Sequence, residues 1–293
     1  MRAIAEQTKG RQGEMQGNGA LSVARILFVS LIAVAVVLAL APAGRAQTWN
    51  FTGMTPDQFK SLPPGGPAPV RDLSGTWDGG PQGVGATGQE AERAAARPPF
   101  TPLGEKMARQ NRPGNGPRKV LVGEINDPLS TLGDPAGFPR VVTFELRALQ
   151  IAQTTNQVLM LYMFEKRYRV IWTDGRSLPK DPDPRWYGYS VGRWEDDNTF
   201  VVETIGLDDR TWIDNDGDPH STALRVIERY RRVNRNSLEL TVTIDDPKVY
   251  TKPWLVRDRM PMRLLPPGTD LMEMIPSASE AQAYQQVISS KAK

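Results

Sequence analysis

The sequence of 293 residues contains no cysteine and a single histidine, His220. The absence of cysteine excludes disulfide bonds, thiol nucleophiles, iron–sulfur clusters and cysteine-based zinc sites within this chain. One histidine also cannot supply the two or three histidines of the usual zinc centres. Stability must therefore come from a packed core. No cofactor and no resident metal ion are predicted.

Long apolar runs are also scarce in this sequence, and the longest one lies near the N-terminus. It spans residues 26–41, follows Arg25, and is succeeded by the small residues Gly44 and Ala46. A basic flank, a short apolar run and a small-residue exit predict a secretory signal peptide over residues 1–46. The expected location is therefore periplasmic or secreted. An uncleaved membrane anchor is the alternative, and this segment is then the only predicted contact with a membrane.

The chain also has almost no net charge when residues 1–46 are left out. The whole chain has a formal net charge of +3, and residues 1–46 carry an equal excess of basic side chains. The part that follows is therefore close to neutral. Proteins that bind nucleic acid neutralise phosphates with lysine and arginine, so no nucleic-acid partner is predicted.

Proline and glycine are abundant in residues 47–140, which predicts an irregular segment that wraps around a main domain. Two exceptions are expected. Residues 72–77, DLSGTW, indicate the start of a short strand. The sequence TPLGEKMARQN indicates a short helix, with Thr101 as its N-cap and Pro102 at its first position.

Residues 141–265 have the pattern of a β-domain, and residues 266–293 form a predicted tail. Strand-like runs are separated by polar turns such as EDDN and NRNS, which is typical of hairpins. Few helices can lie between them, so a parallel sheet with crossover helices is not expected. The predicted fold is all-β: an antiparallel up-and-down, lipocalin-like barrel, with a β-sandwich as the alternative.

Several longer strings resemble a family of uncharacterised exported bacterial proteins. The matching strings, in chain order, include DLSGTW, PPFTPLG, IWTDGRSLPKDPDPRWYGYSVGRWEDD, TWIDNDGDPHSTALRVIERYRR and TIDDPKVYTKPW. The resemblance implies export but carries no activity to this chain. GTW before a series of hairpins also looks like the first strand of lipocalin-like barrels.

The stretch WIDNDGDPHST holds the candidate catalytic residues. We expect Asp214 to Asp218 to form a surface turn around Gly217, with His220 beside the mouth of a pocket. Asp214 is the nearest acid that can orient His220 and raise its pKa. The spacing does not fit an EF-type calcium loop, but Ca²⁺ binding by these aspartates stays open.

Strand parity provides a third catalytic candidate. Leu224, Val226, Glu228 and Tyr230 share one face of a strand, and that face should point inward because it is mostly apolar. Glu228 then needs a charged or hydroxyl partner, because a buried carboxylate is otherwise costly. It can be either a structural ion pair or an acid–base group.

Aromatic and basic side chains near the predicted strand ends indicate a site for a small ligand. The candidate ligand-binding residues are Trp172, Arg176, Tyr189, Arg193, Trp194, Tyr230, Tyr250 and Trp254. The first hypothesis is a secreted binding or structural barrel whose interior holds a polar or amphipathic small molecule. The alternatives are a hydrolase or isomerase that uses His220 with Asp214 or Glu228, and a surface scaffold protein without a cavity.

Overall fold

The computed structural model describes residues 61, 63, 65–79, 98–143, 146–275, 277, 279–283 and 286. The predicted signal peptide and its cleavage site lie outside this part of the chain. Within it, no helix is both long enough and apolar enough to cross a membrane.

Nine strands close into a single barrel in which each strand pairs with its neighbours in chain order. The first strand also pairs with the last, which completes the closure. The sequence prediction of an all-β barrel is confirmed, and the β-sandwich alternative is wrong. The strands are β1 (Gly75–Asp78), β2 (Ala148–Gln153), β3 (Gln157–Tyr162), β4 (Tyr168–Trp172), β5 (Tyr189–Trp194), β6 (Thr199–Ile205), β7 (Arg225–Asn234), β8 (Ser237–Asp245) and β9 (Trp254–Leu264).

One pair departs from the predicted antiparallel order. Strands β4 and β5 run parallel, whereas the other neighbouring strands pair antiparallel. The physical reason is the connection over residues 173–188, which contains three prolines and leads the chain back along the barrel before β5 begins. A tight turn at Asp174 and Gly175 would instead have produced an antiparallel hairpin.

Closure of the barrel at β1 depends on Trp77, which is completely buried. Its indole Nε1 donates to the carbonyl of Leu73 over 2.9 Å, and the guanidinium of Arg232 lies 4.5 Å from its ring centroid. Arg232 in turn donates to the carbonyls of Asp72 and Arg235. The GTW string therefore marks the strand that closes the barrel, as its sequence suggested.

Short helices occupy the segment between β1 and β2. They are α1 (Pro102–Gln110), α2 (Pro128–Thr131) and α3 (Arg140–Thr143), with a 3₁₀ turn at Val122–Glu124. The hydroxyl of Thr101 accepts from the amide of Gly104 over 3.1 Å, so the predicted N-cap of α1 is confirmed. The same hydroxyl donates to the carbonyl of Lys248, which joins the start of α1 to the loop before β9.

Candidate ligand-binding site

A charged pair lies inside the barrel. Glu228 on β7 and Arg169 on β4 form an ion pair through Nη2 of Arg169, and their side chains are 0% and 2% exposed. Tyr230 Oη donates to the other carboxylate oxygen of Glu228 over 2.6 Å. The prediction that Glu228 faces the interior beside a charged or hydroxyl partner is confirmed. The pair explains how a carboxylate is tolerated among apolar side chains.

Aromatic rings surround this pair. Burial raises the pKa values of Tyr162 and Tyr230 well above the ordinary value of tyrosine, and the nearby Glu228 raises both further. Burial lowers the pKa of Arg169, but Glu228 and the tyrosines more than reverse this effect. Arg169 is therefore positive and both tyrosines are neutral at physiological pH. The ring of Phe138 lies 4.1 Å from the guanidinium, which covers one face of it.

The parallel pair leaves a gap in the barrel wall. Strands β4 and β5 pair only at Ile171–Ser190 and Trp172–Val191, so the N-terminal part of β4 is not paired with β5. A pocket of about 520 Å³ occupies this gap. We call it the seam pocket. Its lining residues come from both strands and from the connection between them: Tyr168, Arg169, Val170, Trp172, Arg176, Ser177, Leu178, Pro179, Arg185, Tyr187, Gly188, Tyr189, Ser190 and Val191.

Two stacked pairs of an arginine and an aromatic ring line the seam pocket. The guanidinium of Arg176 lies 3.5 Å from the centroid of the Trp172 ring, and that of Arg185 lies 4.0 Å from the Tyr189 ring. Asp174 accepts hydrogen bonds from Nε and Nη2 of Arg176 and holds it over the indole. Three of the predicted ligand-binding residues, Trp172, Arg176 and Tyr189, therefore meet at one pocket.

Two polar groups of the pocket lining are held by hydrogen bonds. Tyr187 Oη donates to Glu165 over 2.8 Å, and the Ser190 hydroxyl shares a hydrogen bond of 2.9 Å with Thr204. Burial raises the pKa of Glu165, although the amide of Ala136 and the Tyr187 hydroxyl oppose this shift. Burial and the adjacent carboxylate both raise the pKa of Tyr187. Tyr187 is thus a neutral hydroxyl held in a fixed position.

The other predicted ligand-binding residues do not line this pocket. Arg193 is exposed and pairs with a glutamate on β6. Trp194 packs at 5.1 Å against a phenylalanine of the core. Tyr230 belongs to the interior pair, and Tyr250 and Trp254 contact each other at 5.4 Å beneath the start of α1. The sequence alone could not distinguish aromatic residues that line a pocket from those that pack in the protein, because aromatic residues also fill the ends of barrels.

His220 is completely buried and does not itself line a pocket, although Thr211 and Pro219 beside it line one of about 320 Å³. Its Nε2 lies 2.8 Å from the hydroxyl of Thr211, and its Nδ1 lies 3.1 Å from the carbonyl of Ser221. The ring is therefore oriented by these two groups, and the expected orientation by Asp214 is wrong. Burial lowers the pKa of His220, opposite to the predicted direction. A neutral ring that donates from Nδ1 and accepts at Nε2 satisfies both contacts.

The aspartate turn is also more enclosed than predicted. Asp214 is completely buried and accepts from the amides of Asp216 and Asp218, while Gly217 adopts a φ of 78°. Asp218 forms an ion pair of 2.6 Å with Arg118. These carboxylates thus bind the backbone and a cation of the protein itself. In the described part of the chain, no three acidic or histidine side chains converge as metal ligands.

Sequence reasoning missed two arginines of the seam pocket. Arg169 and Ile171 lie two residues apart and share the inward face of β4. Strand parity could therefore have identified Arg169 in the same way as Glu228. Arg185 lies in the proline-rich connection, where no periodicity exists to indicate which way a side chain points. Only the three-dimensional path of residues 173–188 shows that it returns to the pocket.

Comparison with known proteins found no match for this chain. The sequence matches no model of a known protein family, and no curated protein matches it. The resemblance carried by its motifs therefore stays a prediction, and the geometry of the site must support any functional proposal.

Proposed function

We propose that the protein is an exported barrel that binds a small amphipathic molecule in the seam pocket. The observation that carries this proposal is one cavity of about 520 Å³ whose lining combines aromatic rings with fixed polar groups. Small-molecule sites in proteins occupy roughly 300–1,000 Å³ and have this combination. Trp172 and Tyr189 offer flat apolar surfaces, while Tyr187, Ser190 and the arginines offer directional hydrogen bonds.

The location of the pocket refines the first hypothesis. The inward side chains of the strands pack into one apolar cluster, which includes Val226, Leu240 and Met260. The barrel axis is therefore occupied by the protein, and the proposed ligand enters from the side, between β4 and β5. The aromatic residues stacked under arginines keep their ring faces in place before any ligand arrives, which lowers the entropic cost of binding.

The alternatives receive less support from the geometry. A hydrolase that uses His220 requires the ring to reach substrate, yet the ring is buried and both nitrogens have contacts. Glu228 lies in the interior pair rather than in a cleft. A scaffold protein would need no cavity, whereas the seam pocket is large enough for a ligand.

Titration with N-phenylnaphthylamine, an uncharged amphipathic fluorophore, tests the proposal. We expect saturable binding that Trp172→Ala weakens at least tenfold, which corresponds to about 1.4 kcal/mol. Trp186→Ala is the matched control, because Trp186 also stacks with an arginine, Arg210, but does not line the pocket. Equal affinity of both variants and the parent, or no saturable binding by the parent, would contradict the proposal.

A further inference from the structure

We infer that the ligand of the seam pocket is a monoanionic aromatic carboxylate, an inference that rests on the proposed function and specifies its ligand. The first observation is the charge of the lining. Three arginines, Arg169, Arg176 and Arg185, line the pocket, and its lining residues include no aspartate or glutamate. A cavity with cationic walls and a low-dielectric interior concentrates anions and excludes cations.

The second observation is that one of these arginines is incompletely bonded. Arg169 is 3% exposed, and Nη2 donates to Glu228. Its Nε and Nη1 are buried and make no hydrogen bond of ordinary geometry in the described part of the chain, although the Tyr162 hydroxyl is close enough to interact with the guanidinium. A buried N–H group without a hydrogen bond is uncommon and costly, because it has lost its hydrogen bonds to water. A hydrogen-bond acceptor on a ligand would replace those lost bonds.

The charge balance favours one negative charge on the ligand. Glu228 balances Arg169, and Asp174 balances Arg176. Among the described residues, Arg185 forms no ion pair, and its guanidinium lies against the face of Tyr189. One positive charge therefore remains at the pocket. A carboxylate matches it, whereas a phosphate dianion would leave a surplus negative charge in a partly enclosed site.

The shape of the lining favours a flat ligand body. The indole of Trp172 and the ring of Tyr189 lie on the two strands that border the gap, and each is backed by an arginine. Offset stacking between such rings and an aromatic ligand adds to the burial of apolar area. The planar guanidinium groups present N–H pairs that match the two oxygens of a carboxylate.

The test compares three naphthalene probes of equal size on the full chain by isothermal titration calorimetry at low ionic strength. The probes are naphthoate, the uncharged naphthamide and the cationic naphthylmethylamine. We expect naphthoate to bind at least tenfold more tightly than naphthamide and naphthylmethylamine to bind weakest. Added salt should weaken the binding of naphthoate but not that of the other two probes. Equal binding of naphthoate and naphthamide overturns the carboxylate inference but leaves the proposed function standing, whereas no binding of any probe overturns both.

Variants assign the effect to the pocket. Arg185→Gln should reduce the preference for naphthoate over naphthamide to less than threefold, because it removes the charge that distinguishes the two probes. Arg231→Gln is the control, because Arg231 is an exposed arginine that pairs with Glu239 on the outer face. Arg169→Lys should also reduce the preference, since it keeps the charge beside Glu228 but removes two N–H donors. If that variant does not fold, Arg185→Gln alone decides: an unchanged preference would refute the inference.

Discussion

Removal of Glu228 tests the interior pair most directly. Arg169 and Glu228 are both essentially inaccessible to solvent, and no other carboxylate of the described residues pairs with Arg169. Glu228→Ala therefore leaves a guanidinium uncompensated in the barrel interior. Breaking a buried pair from one side typically costs about 3–5 kcal/mol. This is a large part of the roughly 5–15 kcal/mol that stabilises a typical folded domain.

The assays are unfolding in urea, which gives the free energy of unfolding, and thermal unfolding, which gives Tm, both followed by far-ultraviolet circular dichroism. A loss of about 3–5 kcal/mol should lower Tm by about 6–20 °C for a domain of this size. Glu239→Ala is the control, because Glu239 pairs with Arg231 at 3.5 Å on the outer face. An exposed pair contributes only about 0–1 kcal/mol. If Glu228→Ala costs less than about 0.5 kcal/mol, Arg169 is solvated and the description of the interior is wrong.

A double variant separates charge from packing. Replacing Arg169 by Met and Glu228 by Leu removes both charges while keeping most of the volume. Such replacements are often neutral or stabilising, because no ion has to be buried. We expect the double variant to recover at least half of the stability that Glu228→Ala loses. A double variant as unstable as the single one would show that packing around Tyr230, rather than the uncompensated charge, dominates the loss.

Three further outcomes are expected. The pKa of His220, measured by NMR, should lie below 6.5 because of burial. The unfolded chain then binds the proton first, so stability should fall as the pH drops below about 6.5, by at most about 1.4 kcal/mol per pH unit. Gly104→Ala should destabilise by about 1–3 kcal/mol despite its better helix propensity, because a Cβ would overlap the carbonyl oxygen of Val249; Glu105→Ala is the control. N-terminal sequencing of the protein from its native host should find a chain that begins near Gln47.

Local patterns predicted the barrel well because most of its strands are joined by short hairpins. In β7 the alternation is clear enough to place Val226, Glu228 and Tyr230 inside and Arg225 and Arg229 outside, and the burial of these residues follows it. Arg225 pairs with Glu203 on β6, and Arg229 pairs with Glu195, which directly follows β5. Where strand neighbours are also neighbours in sequence, parity and turn composition contain nearly all the required information.

The errors at the aspartate turn have a different origin. Its composition correctly indicates a turn, but its burial depends on residues far away in the chain. Asn111 donates to the carbonyl of Gly217 over 2.9 Å, and Arg118 donates to the carbonyl of Asp216 over 2.7 Å. Arg140 donates to Asn215 over 2.9 Å. The Pro/Gly-rich segment thus covers the turn, and no local pattern in either stretch could have paired the two.

The parallel pair and the seam pocket have a common cause. An antiparallel hairpin after Trp172 would have continued the hydrogen-bond ladder and sealed the wall beside Arg169. The long connection instead returns the chain to the start of β5, which leaves the two strands paired at only two positions. The same connection supplies Arg176 and Arg185 to the pocket that it opens. Shortening residues 173–188 would therefore remove the gap and its cationic lining together, so the departure from the expected topology is also the feature on which the proposed binding site depends.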